Sequence, residues 1–315
     1  MEIFGMKFKS DTKRFFIGLI AVWAVYVIAT FLAPETVSVS RYGLTLFEAN
    51  LLRLTIILPL FFIWITVLLS FIWFRRYTEM VRGSEEELGY RKITKGLWML
   101  LLVVMLPSFF NVAISYFPDN GEIVRTLTIL RNYVTIALYL VGFVYLWQSS
   151  VHLLKTVGGI EWGKKYRTYV LLTIGALTFI YAYAIFNNPF RTETTDPLVR
   201  ATYYLPDVLI ILTVVVPYLL IWLFGSMAVL NFMSYARHVP GVIYRESFKA
   251  VSTGLTVTIA LLIGLQFLSQ ANAALSRSAL GVVMVIIYAL LIAIAAGYLM
   301  IARGARKLAL LEEVE

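Results

Sequence analysis

The chain has 315 residues, of which 60% are hydrophobic and only 14% charged, and its mean hydropathy is +0.83. A soluble domain is about 45–50% apolar and about 25% charged, and a disordered chain combines low hydrophobicity with high charge, so both classes are excluded. What remains is an all-α integral membrane protein, in which the net charge of +9 must be read by position before it is assigned to any partner.

A membrane-crossing helix needs about 20 mostly apolar residues, and eight runs supply them: 15–33, 51–74, 97–117, 133–154, 168–187, 208–234, 251–270 and 279–301. The first is too long for a signal peptide and lacks a small-residue cleavage site, so it reads as a retained helix. The second holds Pro59 and Trp64. The connection after it carries Ser84-Glu85-Glu86-Glu87, a capping-box pattern that predicts a helix start ahead of the third span. The third span holds Pro107 with Ser108, Asn111 and Ser115, the fifth ends at Asn187, and the sixth holds Pro217 and Trp222. The seventh carries Gln266, Ser269 and Gln270, and the eighth runs into a basic amphipathic tail from Arg303. No loop is long enough for a soluble domain, so residues 1–315 read as one polytopic membrane domain.

All but seven of the 27 Lys and Arg fall at the N-terminus, at the C-terminus, or near 75–96, 155–167 and 235–250. The seven on the alternate side are Arg41, Arg53, Arg125, Arg131, Arg191, Arg200 and Arg277. The positive-inside rule then places both termini in the cytoplasm and the chain in a plasma (inner) membrane. Anionic lipid at the cytoplasmic face is the expected partner of the basic side. Nucleic acid is not expected, because no motif of that class is present.

Sliding the sequence on itself by 158 residues aligns 59–97 with 217–255 without a gap, with nine identities. They include Pro59/Pro217, Trp64/Trp222, Tyr77/Tyr235, Gly83/Gly241 and Gly96/Gly254, and Tyr90/Phe248 and Arg91/Lys249 are conservative pairs. A shift of 76 adds Val81/Val157, Gly83/Gly159, Tyr90/Tyr166 and Arg91/Arg167. The spans therefore parse as parallel repeats of a two-helix hairpin. Such repeats occur in transporters, related by an axis along the membrane normal, and also arise by duplication in modules that transport nothing.

The repeat aligns Asn111 with Asn187 and Ser269, and Ser108 with Gln266. Ser108, Asn111 and Ser115 share one helical stripe, as do Gln266, Ser269 and Gln270. These seven residues form a candidate polar lining in the outer half of the bundle. The competing reading is interhelical hydrogen bonding, worth about 0.6 kcal/mol per contact. Pro59, Pro107 and Pro217 are candidate helix breaks, each freeing a backbone carbonyl. The mid-span positions of Trp64 and Trp222 imply packing inside the bundle.

Chemistry-bearing groups are sparse. Ionisable residues near the membrane centre mark ion paths and proton relays, but Glu48, Arg53, Arg131 and Asp207 all fall at outer helix ends. With no cysteine and only His152 and His238, no metal or haem ligand set is expected. Gly158-Gly159 lacks the Gly-Lys-Ser/Thr of a phosphate loop and reads as a turn. No cofactor and no catalytic constellation are expected. The residues thus point to a channel or permease for a neutral or polar small solute. The alternative is a non-catalytic sensing or assembly module that meets a membrane or cytoplasmic partner through the 303–315 tail.

Overall fold

The computed structural model describes residues 2–3, 6–7, 10–32, 46–117, 120–158, 191–195, 198–202, 216–271 and 277–311, with scattered helical positions between 168 and 183. Seven helices dominate: α1 (Ser10–Leu32), α2 (Leu46–Met80), α3 (Glu87–Ser115), α4 (Gly121–Thr156), α5 (Val216–His238), α6 (Val242–Ala271) and α7 (Arg277–Leu311). Among the described residues, five segments are long and apolar enough to cross a membrane: Ile57–Met80, Glu87–Ser115, Glu122–Thr156, Val216–His238 and Val285–Leu310. Ile17–Leu32 is a shorter apolar stretch. The chain is a helical membrane protein.

Two short antiparallel hairpins accompany the helices and were not expected from the sequence. One pairs β1 (Glu2–Ile3) with β2 (Met6–Lys7), and the other pairs β3 (Arg191–Thr195) with β4 (Leu198–Thr202). In the second, Arg191 faces Thr202 and Thr195 faces Leu198.

Several helix ends differ from the sequence expectation. The loop between the third and fourth spans is much shorter than expected, because α4 starts at Gly121. Asn120 caps it by accepting from the Ile123 N–H at 3.1 Å. Arg125 and Arg131, whose polarity masks this extension in a hydropathy reading, sit within the helix. At the other turn, Ser84 is not the cap. Instead α3 begins at Glu87, whose carboxylate reaches back to the Gly83 N–H at 2.8 Å. Gly83 has φ +89° and Gly241, at the α5–α6 turn, has φ +94°, a left-handed backbone that glycine adopts without steric cost. The third positive φ falls on Gly158, one residue before the Gly159 aligned by the 76 shift, and residues 159–167 lie outside the described residues. His238, expected in a loop, closes the last turn of α5.

The helices α2 to α7 pack chiefly on their chain neighbours, and α7 returns to α2, so the six form a closed cycle. Helix α1 lies outside it, stacking Trp23 on Trp64 at 5.7 Å and packing Tyr26 against Phe109 of α3 at 5.6 Å. Lipid is as apolar as leucine, so association rests on close packing and small residues at the contacts rather than on hydrophobicity. The tightest contacts obey this rule. A Cβ on Gly96 would stand 2.9 Å from the Gly142 carbonyl oxygen, across the α3–α4 contact. A Cβ on Gly254 would collide with the Gly297 carbonyl oxygen, across the α6–α7 contact. Below these, the Ser149 hydroxyl donates to the Gly89 carbonyl at 2.8 Å, and a Cβ on Gly304 would meet the Ser247 carbonyl oxygen at 2.6 Å.

The two tryptophans separate. Trp64 is buried (1% exposed), as its mid-span position implied, but Trp222 is 48% exposed. It shares an outward stripe with Leu219, Leu223 and Leu230, all exposed, so the sixth span turns this face away from the bundle. Tertiary placement of α5 overrides the local match to Trp64.

Candidate functional site

The α2–α3 turn, the α5–α6 turn and the C-terminal ends of α4 and α7 gather at one end of the bundle, through short polar contacts. His152 of α4 places Nε2 3.2 Å from the Glu85 carbonyl oxygen. Lys307 of α7 donates to Glu246 at 2.6 Å and holds that carboxyl below the usual carboxylate range. Arg75, Arg76, Arg82, Arg91, Lys92 and Lys95 from the first turn region join Arg237, Arg245, Lys249, Arg303, Arg306 and Lys307 here. This is the basic end.

Aromatic side chains fill its centre in matched pairs. Tyr77 meets Tyr90 edge-on, with ring centroids 4.6 Å apart and planes at 82°. Tyr235 meets Phe248 in the same way, at 4.6 Å and 74°. Each member of the second pair lies 158 positions beyond its counterpart. The hydrogen bonds correspond as well: Tyr235 donates to Glu86 at 2.7 Å, and Tyr77 bonds Tyr244 at 3.4 Å, residue 244 being 86 plus the same offset. Tyr90 and Phe248 belong to α3 and α6, opposite members of the six-helix cycle, yet their rings approach to 6.1 Å. All four rings are buried, so they plug the basic end. At the basic end, the hydroxyls of Tyr90 and Ser247 are buried with no hydrogen bond of good geometry among the described residues. Such groups are costly unless something polar reaches them.

A related correspondence extends to the following helices. Gly96 packs on Gly142 and Leu146, and Gly254 packs on Gly297 and Ile301. On α4 and α7 the offset is 155. Leu153 and Leu308 are fully buried and obey it too.

The polar residues singled out from the sequence are divided among three situations. Ser108 is buried and its hydroxyl donates to the Val104 carbonyl at 2.8 Å, while Ser115 donates to the Asn111 carbonyl at 3.0 Å. Both hydroxyls are thus satisfied by their own helix. Asn111 is exposed, and its side-chain oxygen accepts from Arg131 of α4 at 2.6 Å. Gln266, Ser269 and Gln270 lie on α6, but their side chains are outside the described residues, as is Asn187 altogether. The helices run on through Pro59 and Pro107, and Pro217 stands in the first turn of α5 as described. The C-terminal tail packs onto α6, with Ala305, Leu308 and Ala309 fully buried.

Sequence reasoning passed over the plug as a site. Its residues had appeared only as repeat identities, and tyrosines near a helix end read as interfacial anchors. The signal that could have found it was the coincidence of Tyr77/Tyr235 and Tyr90/Phe248 in one alignment. No known family, characterised protein or solved structure matches the chain.

Proposed function

We propose that the chain is a permeation protein of the plasma (inner) membrane, a channel or permease for a neutral or polar small solute, with eight spans and both termini in the cytoplasm. The observation that carries this reading is the pair of equivalent aromatic contacts, Tyr77–Tyr90 and Tyr235–Phe248, which meet each other across the helix cycle. They support a parallel duplication whose unit is three helices, α2–α4 and α5–α7, related by an axis along the membrane normal. Parallel repeats of that kind build transporters whose substrate site lies between the halves. The plug then closes the pathway at the basic end, which the positive-inside rule assigns to the cytoplasm. The far end, with Asn111, Arg131 and the capped start of α4, is the polar mouth. A neutral or polar solute fits best, since no ionisable residue lies near the middle of the bundle's described spans to balance a charge. The chain carries out no chemistry in this reading and needs no cofactor.

A sensing or assembly module is the competing function. Its main feature was an apolar tail face open to a partner, and the burial of Leu308 and Ala309 against the chain's own helices weighs against it.

The test is osmotic swelling of liposomes that contain the purified full-length chain. Swelling in uncharged polyols above that of protein-free vesicles is expected. Vesicles that stay tight to every solute and to salts, with correctly inserted protein, overturn the permeation reading.

A further inference from the structure

The first half of the bundle carries a charged cleft at its basic end. Between α2 and α3 lies a cleft of about 380 Å³ with Phe71 at its floor. Four cations line it, Arg75, Arg82, Arg91 and Lys95, against two carboxylates, Glu79 and Glu87. Arg75 is paired with Glu79 at 3.3 Å, and Arg91 is paired with Glu87. Arg82 and Lys95 have no carboxylate partner among the described residues. The Lys95 ammonium is held 6.0 Å over the Tyr145 ring instead. The hydroxyls of Thr78 and Thr94 donate to their own helix backbones, so they are not free to bind an acceptor from outside. The cleft therefore offers two cations outside any close ion pair, Arg82 near enough to favour the charged Glu87 carboxylate and Lys95 over a ring, two more that can share their donors, and an apolar floor.

In the membrane reading the cleft lies where the apolar run of α2 gives way to charge at Arg75. Trp73 sits under the Arg76 guanidinium at 5.8 Å, and Trp98 packs on Phe71 at 5.5 Å, so aromatic rings stand beside the cations. Shifting by 158 residues replaces Arg75, Thr78, Arg82 and Lys95 with Met233, Ala236, Pro240 and Thr253. The backbone turn and the Arg91/Lys249 cation are shared, while Arg75, Arg82 and Lys95 have no charged counterpart, so the shared turn does not require those three cations.

We propose that this cleft binds a phosphate ester, with Arg82 and Lys95 as its principal contacts, and that an anionic phospholipid headgroup supplies it. Arginine grips phosphate oxygens through a planar fork and lysine as a compact charge, and basic pockets between helices at the cytoplasmic surface are where such headgroups settle. Glu79 and Glu87 reduce the charge of the lining to a net +2, so a bound phosphodiester meets a site that stays cationic. The inference rests on the membrane reading of the preceding section but not on permeation.

The experiment is native mass spectrometry of the full-length chain released from nanodiscs of phosphatidylcholine with phosphatidylglycerol, with lipid affinity measured by titration. The variant Arg82→Gln/Lys95→Gln is compared with Arg245→Gln/Lys249→Gln, which removes the same charge from the second half. The expected result is one retained phosphatidylglycerol whose affinity falls about thirtyfold in the first variant and is unchanged in the second. Equal losses in both variants, or no retained anionic lipid in the wild type, overturn the proposal. A third arm titrates inorganic phosphate into protein in phosphatidylcholine alone. Binding there that is abolished by Arg82→Gln/Lys95→Gln, without lipid retention, keeps the phosphate site and overturns the lipid as its source. Elution of both variants as single species checks folding, and liposome flux is independent of every arm.

Discussion

At the scale of single residues, the bundle depends on backbones that approach without side chains between them. Gly254 illustrates the limit: a Cβ there would strike the Gly297 carbonyl oxygen and stand 3.2 Å from the Ile301 nitrogen, and backbone atoms cannot swing aside. Gly254→Ala is expected to cost about 1–3 kcal/mol, the usual range for overpacking, read as a lowered unfolding midpoint in detergent. Gly18, where a Cβ would meet nothing within 4 Å, provides the control, and Gly18→Ala should leave the midpoint unchanged or raise it slightly. Equal effects would contradict the packing argument. Hydrogen bonds in the plug should rank by geometry. Tyr235→Phe removes a 2.7 Å bond to a carboxylate, expected to cost about 1.5–3 kcal/mol. Tyr77→Phe removes a 3.4 Å hydroxyl contact and should cost less than about 1 kcal/mol.

Elements show where sequence reasoning reached and where it stopped. Helices α2, α3 and α5 were legible because long apolar runs in a nearly uncharged stretch admit no other structure. The turns at Gly83 and Gly241 were legible as aligned glycines, and their positive φ explains that alignment. Gly83→Ala and Gly241→Ala should each cost about 1–2 kcal/mol through left-handed strain. The loss should be greater at Gly241, where a Cβ would also stand 3.1 Å from the Tyr244 ring. The first three turns or so of α4 were not legible, because Arg125 and Arg131 break the hydropathy run while remaining compatible with a helix. Nor was the exposure of Trp222, since which stripe of α5 faces its neighbours depends on contacts that local pattern does not contain. The candidate polar lining is where the two sources meet least. The sequence placed Ser108 and Asn111 on one stripe, but Ser108 is buried with its hydroxyl turned to its own helix and Asn111 is exposed beside Arg131.

Asn111 is also the position at which the outer mouth can be probed. With no native cysteine in the chain, Asn111→Cys introduces a single thiol. A membrane-impermeant maleimide added outside intact cells should label it. Leu106→Cys, exposed toward lipid about 7.5 Å deeper along α3, should resist the same reagent. Labelling of both or of neither would contradict a wet mouth that ends near Asn111.

On the scale of the whole molecule, six helices close into a cycle, and the equivalent pairs Tyr77–Tyr90 and Tyr235–Phe248 meet at its basic end. The correspondence of 59–97 with 217–255 was legible as nine identities, while the matching contacts on α4 and α7 were not. Helices α4 and α7 share few identities, Gly142/Gly297 and Leu153/Leu308 among them, and these fall at an offset of 155 that an ungapped shift of 158 does not reach. In the proposed reading the halves are a duplicated pair around one axis, sealed by Tyr90 and Phe248. Solute flux through liposomes containing wild type, Tyr90→Ala and Leu58→Ala tests this most directly, Leu58 being an exposed residue of α2 remote from the plug. Faster uptake of a small uncharged solute by Tyr90→Ala alone is the expected result. Identical flux in all three proteins, at equal insertion, would contradict a pathway closed by those rings.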